Sequence, residues 1–74
     1  MIAIKMNDSN DTLTKREHEV LDLISKGLTS KEIATNLYVS NHTVISHRKN
    51  LLRKMGARNV ALMIRMGFES GALI

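Results

Sequence analysis

The sequence predicts an all-α fold, a four-helix bundle, and three observations lead to this prediction. Apolar residues recur at helical spacing from Thr14 onward, residues that favour helix N-caps precede the apolar runs, and the 74 residues include no proline. Residues 1–12 are largely polar and turn-forming, so we expect a flexible N-terminal tail or linker before one folded domain, residues 13–74. The predicted helices cover about residues 15–26, 30–37, 41–55 and 59–70.

Two capping boxes mark the starts of the first and second helices. Thr14 is followed three residues later by Glu17, and Thr29 is followed in the same way by Glu32. In each pair the two side chains can satisfy backbone N–H groups at the helix start. Gly27 is the expected end of the first helix, because glycine readily adopts the left-handed backbone that closes helices.

The third predicted helix is the longest, and its two sides differ. Ser40 is its expected N-cap and Gly56 its expected stop. At about 100° per residue, Val44, Leu51 and Met55 fall on one side and form a core stripe. The opposite side is polar and basic and carries His42, Ser46, Lys49 and Arg53. This pattern indicates a helix that lies against an anionic partner.

The fourth predicted helix is apolar on nearly every side, with Arg65 as its only charge before Glu69. A domain of four helices cannot bury all of these faces internally, so we expect part of this helix to pack on another chain. Leu62 and Met66 are the residues expected at that contact. Their burial in the core of the monomer is the alternative.

The net charge of +4 is distributed unevenly along the chain. Residues 33–68 contain six basic residues and no acidic one, whereas the rest of the chain has five basic and seven acidic residues. A basic segment of this kind indicates a polyanionic partner, either nucleic acid or an anionic membrane surface. The membrane surface is disfavoured, because the basic residues share a helix with a stripe that the core needs.

Composition also excludes several classes of protein. A chain without cysteine has no disulfide and no thiolate zinc site, and we expect a reducing cytoplasm as its location. A domain of this size supplies too small a core for an elaborate active site. No Gly-rich phosphate loop or nucleophile–base arrangement is visible, and His42 and His47 do not share a helix face. We therefore predict no enzymatic activity, no cofactor and no metal.

The second and third predicted helices have the pattern of a helix-turn-helix, in which a short helix braces a longer one that enters the major groove. Five linked segments then resemble the LuxR-type (NarL/FixJ) DNA-binding domain of bacterial transcription regulators. They are LTKREHEVL at 13–21, GLTSKEIA at 27–34, VSNHTV at 39–44, HR at 47–48 and KMGA at 54–57. The resemblance covers residues 13–74, and several motifs in the right order make it specific.

The resemblance implies an output domain whose third helix enters the major groove of double-stranded DNA and whose fourth helix mediates a homodimer. It places four residues at base-reading positions, namely Ile45, Ser46, Lys49 and His42. It places seven near phosphates, namely Ser30, Lys31, Thr43, His47, Arg48, Arg53 and Lys54. The implied dimer contact comprises Leu62, Arg65, Met66 and Glu69, and RNA polymerase is an implied protein partner.

Two residues depart from the usual pattern of that family. Ile45 stands where many members have lysine; an aliphatic side chain cannot donate to guanine but could contact a thymine methyl group, so its role stays open. Leu62 stands where relatives often have a polar residue, which favours the dimer. Arg48 and His47 have alternative roles inside the bundle. The alternative function for the whole chain is a protein-interaction module with only residual DNA affinity.

Overall fold

The computed structural model describes residues 13–74, and within them the chain forms four α-helices and no strand. The helices are α1 (Lys15–Ser25), α2 (Ser30–Leu37), α3 (Asn41–Met55) and α4 (Val60–Glu69). The all-α prediction is confirmed, and each predicted boundary lies within one residue of the observed one. The predicted tail, residues 1–12, lies outside the described residues.

The predicted N-caps are present in the structure. The Thr14 hydroxyl accepts a hydrogen bond from the Glu17 N–H at 3.1 Å, and the Thr14 N–H donates to the Glu17 carboxylate at 2.8 Å. Thr29 and Glu32 form the same reciprocal pair at the start of α2. Ser40 caps α3. These local bonds explain why boundaries read from the sequence agree with the structure so closely.

The centre of the bundle is α3, which packs against α1, α2 and α4. Its predicted core stripe is confirmed, because Val44, Leu51 and Met55 are all at most 1% exposed. Each of the other helices adds to the same core. The fully buried side chains that meet this stripe are Val20 and Leu21 of α1, Ile33 of α2 and Met63 of α4.

The turn between α2 and α3 contains no glycine. Tyr38 occupies the left-handed position that ends α2, with φ 58° and ψ 42°, and its side chain is 95% exposed. The next N–H, that of Val39, bonds back to the carbonyl of Ala34 at 3.0 Å and closes the turn. The helix-turn-helix therefore forms without glycine, at the cost of one non-glycine residue in the left-handed region.

The residues after α4 fold back onto the bundle. The Leu73 N–H bonds to the Gly67 carbonyl at 3.0 Å, and the Leu73 side chain is 6% exposed. A Cβ atom on Gly67 would lie 2.7 Å from Leu73 Cδ1, so the absence of a side chain at Gly67 makes room for Leu73. None of the helices within residues 13–74 is long and apolar enough to cross a lipid bilayer.

Candidate nucleic-acid interface

One side of α3 faces solvent along its whole length, and we call it the outer face of α3. It consists of the exposed residues His42, Ile45, Ser46, Lys49 and Arg53. The predicted base-reading residues all lie on this face. Within residues 13–74, the Lys49 side chain makes no hydrogen bond or ion pair, so its ammonium group is available to a ligand. The outer face thus combines hydrogen-bond donors, two cations and one apolar side chain.

The N-terminus of α3 is capped by a hydroxyl group, and its first turn contains no acidic residue. The Ser40 hydroxyl accepts from the Thr43 N–H at 3.0 Å and lies 2.8 Å from the Thr43 hydroxyl. The first turns of α1 and α2 each contain an acidic residue, Glu17 and Glu32 respectively, whereas the first turn of α3 contains none. The partial positive charge at this helix end is therefore not offset by a carboxylate of its own first turn.

Arg48 of α3 and Ser30 of α2, both predicted near phosphates, are joined by a hydrogen bond across the helix-turn-helix. Its side chain extends sideways from α3, and its Nη1 donates to the Ser30 hydroxyl at the start of α2 at 3.0 Å. Both residues are half-buried, and the neighbouring Lys31 is exposed. The bond fixes the first turn of α2 against the middle of α3. It also brings Arg48 and Ser30 together, with Lys31 next to Ser30 in the chain.

Arg53 and His47, two further residues predicted near phosphates, occupy different surroundings. Arg53 lies near the C-terminal end of the outer face, and its Nη2 donates to the Asn50 side-chain carbonyl at 3.3 Å. The Arg53 side chain is exposed, and this bond holds it along the helix surface. His47 is half-buried on the flank of α3. Arg53 is therefore the more exposed of the two residues.

Lys54, which the resemblance places near phosphates, lies inside the bundle and not on its surface. Its side chain is only 14% exposed, and its Nζ lies 2.9 Å from Oε1 of Glu17, which is 5% exposed. The ammonium charge is thus engaged inside the bundle, where it ties α1 to α3. The prediction that Lys54 contacts a phosphate has no support from this placement, because such a contact would require the pair to separate.

The same ion pair gives Glu17 a second role besides the helix cap that its spacing from Thr14 predicts. Burial by itself raises the pKa of the Glu17 carboxyl, but the Thr14 N–H and the Lys54 ammonium together hold that pKa below its ordinary value. Glu17 is therefore ionised in the folded protein at neutral pH. Its partner lies 37 residues away, so no local spacing could have revealed the pair.

The predicted dimer residues lie along one side of α4. Leu62 and Met66 are half-buried, so the core of the monomer covers them only in part. Arg65 and Glu69 are exposed, and their side chains pair with each other at 3.2 Å, one helical turn apart. Phe68 on the same helix is 48% exposed. This helix therefore leaves apolar surface exposed, and the Arg65–Glu69 ion pair lies beside that surface.

In the part of the chain that the structure describes, no group of three or more histidine, aspartate or glutamate side chains lies close enough together to hold a metal ion. His42 is exposed at the start of α3, while His47 lies half-buried on its flank. What this surface offers is an array of hydrogen-bond donors and cations on a helix.

A short helix held against a longer helix with a basic exposed face defines a helix-turn-helix DNA-binding domain. The family model of bacterial regulatory proteins of the luxR family matches residues 11–67. The chain belongs to this family and is a LuxR-type DNA-binding domain of transcription regulators, a class that is not enzymatic.

Two relatives show the extent of the likeness. The transcriptional regulatory protein MctR of Rhizobium johnstonii is 39% identical over 71 residues, which are 96% of this chain and 33% of MctR. The spore germination protein GerE of Bacillus subtilis is 41% identical over 63 residues, which are 80% of this chain and 85% of GerE.

Two solved structures have a fold similar to that of this chain. The structure of the transcription factor GerE superposes with a TM-score of 0.80 at 31% identity, covering 84% of this chain and 92% of GerE. The VqmA–ligand–DNA complex of Vibrio cholerae gives 0.77 at 30% identity, covering 90% of this chain and 30% of VqmA. The chain spans about a third of the length of MctR and of VqmA.

Proposed function

We propose that this chain binds specific double-stranded DNA as the output domain of a bacterial transcription regulator, with α3 in the major groove. The observation that carries the proposal is the outer face of α3, which is exposed, contains two basic residues and no acid, and lies opposite a fully buried stripe. A helix fixed to its domain on one side and basic on the other can enter a groove as a rigid body. Bacterial DNA also makes the cytoplasm the proposed location.

In this proposal the side chains divide into two groups by position. The outer face supplies the base-reading residues Ile45, Ser46, Lys49 and His42. The phosphate contacts come from Arg53 and from the edge around the start of α2 and the flank of α3, namely Ser30, Lys31, Thr43, His47 and Arg48. Phosphate contacts fix the register of the protein on DNA, whereas contacts to base edges select the sequence. Lys54 is left out because Glu17 holds it.

The experiment that tests this assignment begins with selection of bound duplexes from a random library. Binding of the selected duplex is then measured by fluorescence anisotropy over a salt series. Lys49→Ala should lose about 1–3 kcal/mol of discrimination against a changed base pair. Arg53→Ala should weaken binding to all sequences and reduce the salt slope by about one unit.

Lys26→Ala is the matched control for both variants. Lys26 is an exposed lysine at the end of α1 that pairs with Asp22, so its loss removes one positive charge away from the outer face. If Lys49→Ala and Arg53→Ala both bind the selected duplex as the Lys26 variant does, α3 is not the DNA-binding helix. Selection that enriches no duplex at all would overturn DNA binding itself.

We also propose that two copies bind together through α4. The half-buried Leu62 and Met66 leave apolar surface for a second copy, and the related VqmA is described as a dimer. Two recognition helices related by a two-fold axis would require half-sites about 10 bp apart. RNA polymerase is the further partner that a transcription regulator bound to such a site would contact.

The dimer has its own test. Leu62→Glu should abolish the species with two chains per duplex in analytical ultracentrifugation while the monomer keeps its helical circular dichroism. Ala61→Glu is the matched control, because Ala61 is exposed on α4 about 100° around the helix from Leu62. Equal stoichiometry for both variants would contradict the α4 dimer and leave the DNA-binding proposal intact.

The exposed apolar surface of α4 also favours a second candidate function, a protein-interaction module with little use of DNA. In that case Leu62→Glu would abolish function in cells, whereas Lys49→Ala and Arg53→Ala would have no effect. The three variants compared in one reporter assay separate the two functions.

A further inference from the structure

One residue of the outer face of α3 has a chemistry different from the rest. Ile45 is an aliphatic residue with 39% of its surface exposed, among polar and basic neighbours. The core does not need it, since the adjacent Val44 is fully buried and forms the core stripe with Leu51 and Met55. A single exposed apolar residue needs no explanation on a general surface, but this one lies among the residues proposed to face bases.

The helix geometry places Ile45 beside Lys49. The two residues are four apart, so they lie about 40° from each other around α3 and about 6 Å apart along its axis. Base pairs stack about 3.4 Å apart, so a helix lying along the groove would bring these side chains to positions about two base pairs apart. Ile45 and Lys49 therefore read neighbouring parts of the same half-site.

The chemistry of the major groove then limits what Ile45 can recognise. Donors and acceptors make up most of the edges of all four base pairs, and the C5 methyl group of thymine is the one apolar group among them. Against any other base edge, Ile45 would cover polar atoms without offering a hydrogen bond.

We infer that Ile45 packs against the C5 methyl group of a thymine and thereby specifies a T·A pair within about two base pairs of the position read by Lys49. This inference rests on the proposed function, because it requires α3 to lie in the major groove. Ile45 would then determine specificity through an apolar contact. A lysine, which many family members have at this position, would select guanine instead.

The test removes only the methyl group. In the duplex obtained by selection, each thymine of one half-site is replaced in turn by deoxyuridine, which keeps every hydrogen-bonding atom of thymine. Wild-type affinity should fall about fourfold at one position, the equivalent of exposing one buried methyl group, and should be unchanged at the others. Ile45→Ala should bind the thymine duplex more weakly and lose the preference for thymine over uracil.

Ile74→Ala is the matched control, because Ile74 is fully exposed and lies after α4, away from the outer face. This variant should keep the fourfold preference for thymine. Circular dichroism melts of the Ile45 variant verify that the fold is kept.

Two results would overturn the inference while DNA binding stands. The first is a duplex in which no uracil substitution changes affinity. The second is an Ile45→Ala variant that keeps the full preference for thymine, since another group would then read the methyl. Failure of the proposed function gives a different result, in which selection enriches no duplex and Lys49→Ala has no effect.

Discussion

The ion pair between Lys54 and Glu17 gives the sharpest prediction about the stability of this domain. Replacing Lys54 with methionine keeps most of the length of the side chain and removes its charge. The Glu17 carboxylate, 5% exposed, then loses a donor at 2.9 Å and keeps the Thr14 N–H at 2.8 Å. A hydrogen bond to a charged group is worth about 1.5–3 kcal/mol, and breaking a buried ion pair costs about 3–5 kcal/mol. Because one donor remains, we expect a loss of about 2–3 kcal/mol.

This loss should be easy to measure in a domain of this size. A change of 1 kcal/mol moves the melting temperature of a 60–100-residue domain by about 4–8 °C, so Lys54→Met should lower it by more than about 8 °C. Glu19→Gln is the control, because Glu19 pairs with Arg16 on α1 but with 40% of its side chain exposed. An exposed pair of this kind contributes about 0–1 kcal/mol. If the two variants melted at similar temperatures, the pair would not be a main support of the fold.

The same pair predicts how stability changes with pH. Burial raises the pKa of Glu17, but the Thr14 N–H and Lys54 outweigh it, so the net pKa lies below the ordinary value of 4.5. A lowered carboxyl pKa means that the stabilisation is fully present above the unfolded value and is lost as the pH falls through the folded value. Wild type should therefore lose stability below about pH 4.5, and Glu17→Gln should show a shallower loss in the same melts. Identical slopes would contradict this account.

Substitutions at three further positions probe the caps and turns. Tyr38→Gly should stabilise the domain by up to about 1 kcal/mol in thermal melts, because glycine relieves the left-handed backbone and the exposed phenol gives up few contacts; a lower melting temperature would show that the ring has an unrecognised role. Gly27→Ala should lower the free energy of unfolding by about 1 kcal/mol. The cause is the φ of +92° alone, because an added Cβ would meet nothing within 4 Å. An unchanged melting temperature would show that this backbone strain is absent. Ser40→Ala removes the cap of α3 and should lower the free energy of unfolding by about 1 kcal/mol, whereas Ser40→Gly should lower it by only a few tenths. Ser40→Ala should also weaken DNA binding, because the start of α3 would fray.

The sequence was a good guide wherever a structural feature depends on residues close together in the chain. The capping pairs span three residues, and the stripe of Val44, Leu51 and Met55 follows one helical period, so both are visible in a single segment. The interior position of Lys54 was not predictable in this way. A basic residue near the end of a basic helix looks the same in sequence whether it faces solvent or a buried carboxylate 37 residues away.

The turn and the C-terminal residues show a second limit. A non-glycine residue in the left-handed region carries no local signal, so Tyr38 could be read only as a break in the helical period. The docking of Leu73 on Gly67 likewise depends on the path of the chain after α4. The candidate interface was predicted at the level of the helix face, because helical periodicity determines which side chains share a side. Which base or phosphate each contacts depends on how the domain docks on DNA.

The structure also changes what the basic segment can contribute to binding. Of its six basic residues, Lys54 is paired inside the bundle and Arg65 pairs with Glu69 on α4. Arg48 donates to the neutral Ser30 hydroxyl and keeps its charge, and Lys49, Arg53 and Arg58 are exposed. The number of released counterions depends on the charges that reach phosphates and not on the formal sum. The cations proposed to contact phosphates are Lys31, Arg48 and Arg53, whereas Lys49 is proposed to read a base, so one domain would neutralise about three phosphates, which corresponds to a salt slope near −3. If all six basic residues of the segment neutralised phosphates, the slope would be about twice as steep. A salt titration of one domain on one half-site therefore tells whether all six, or only about three cations of the proposed interface, release counterions.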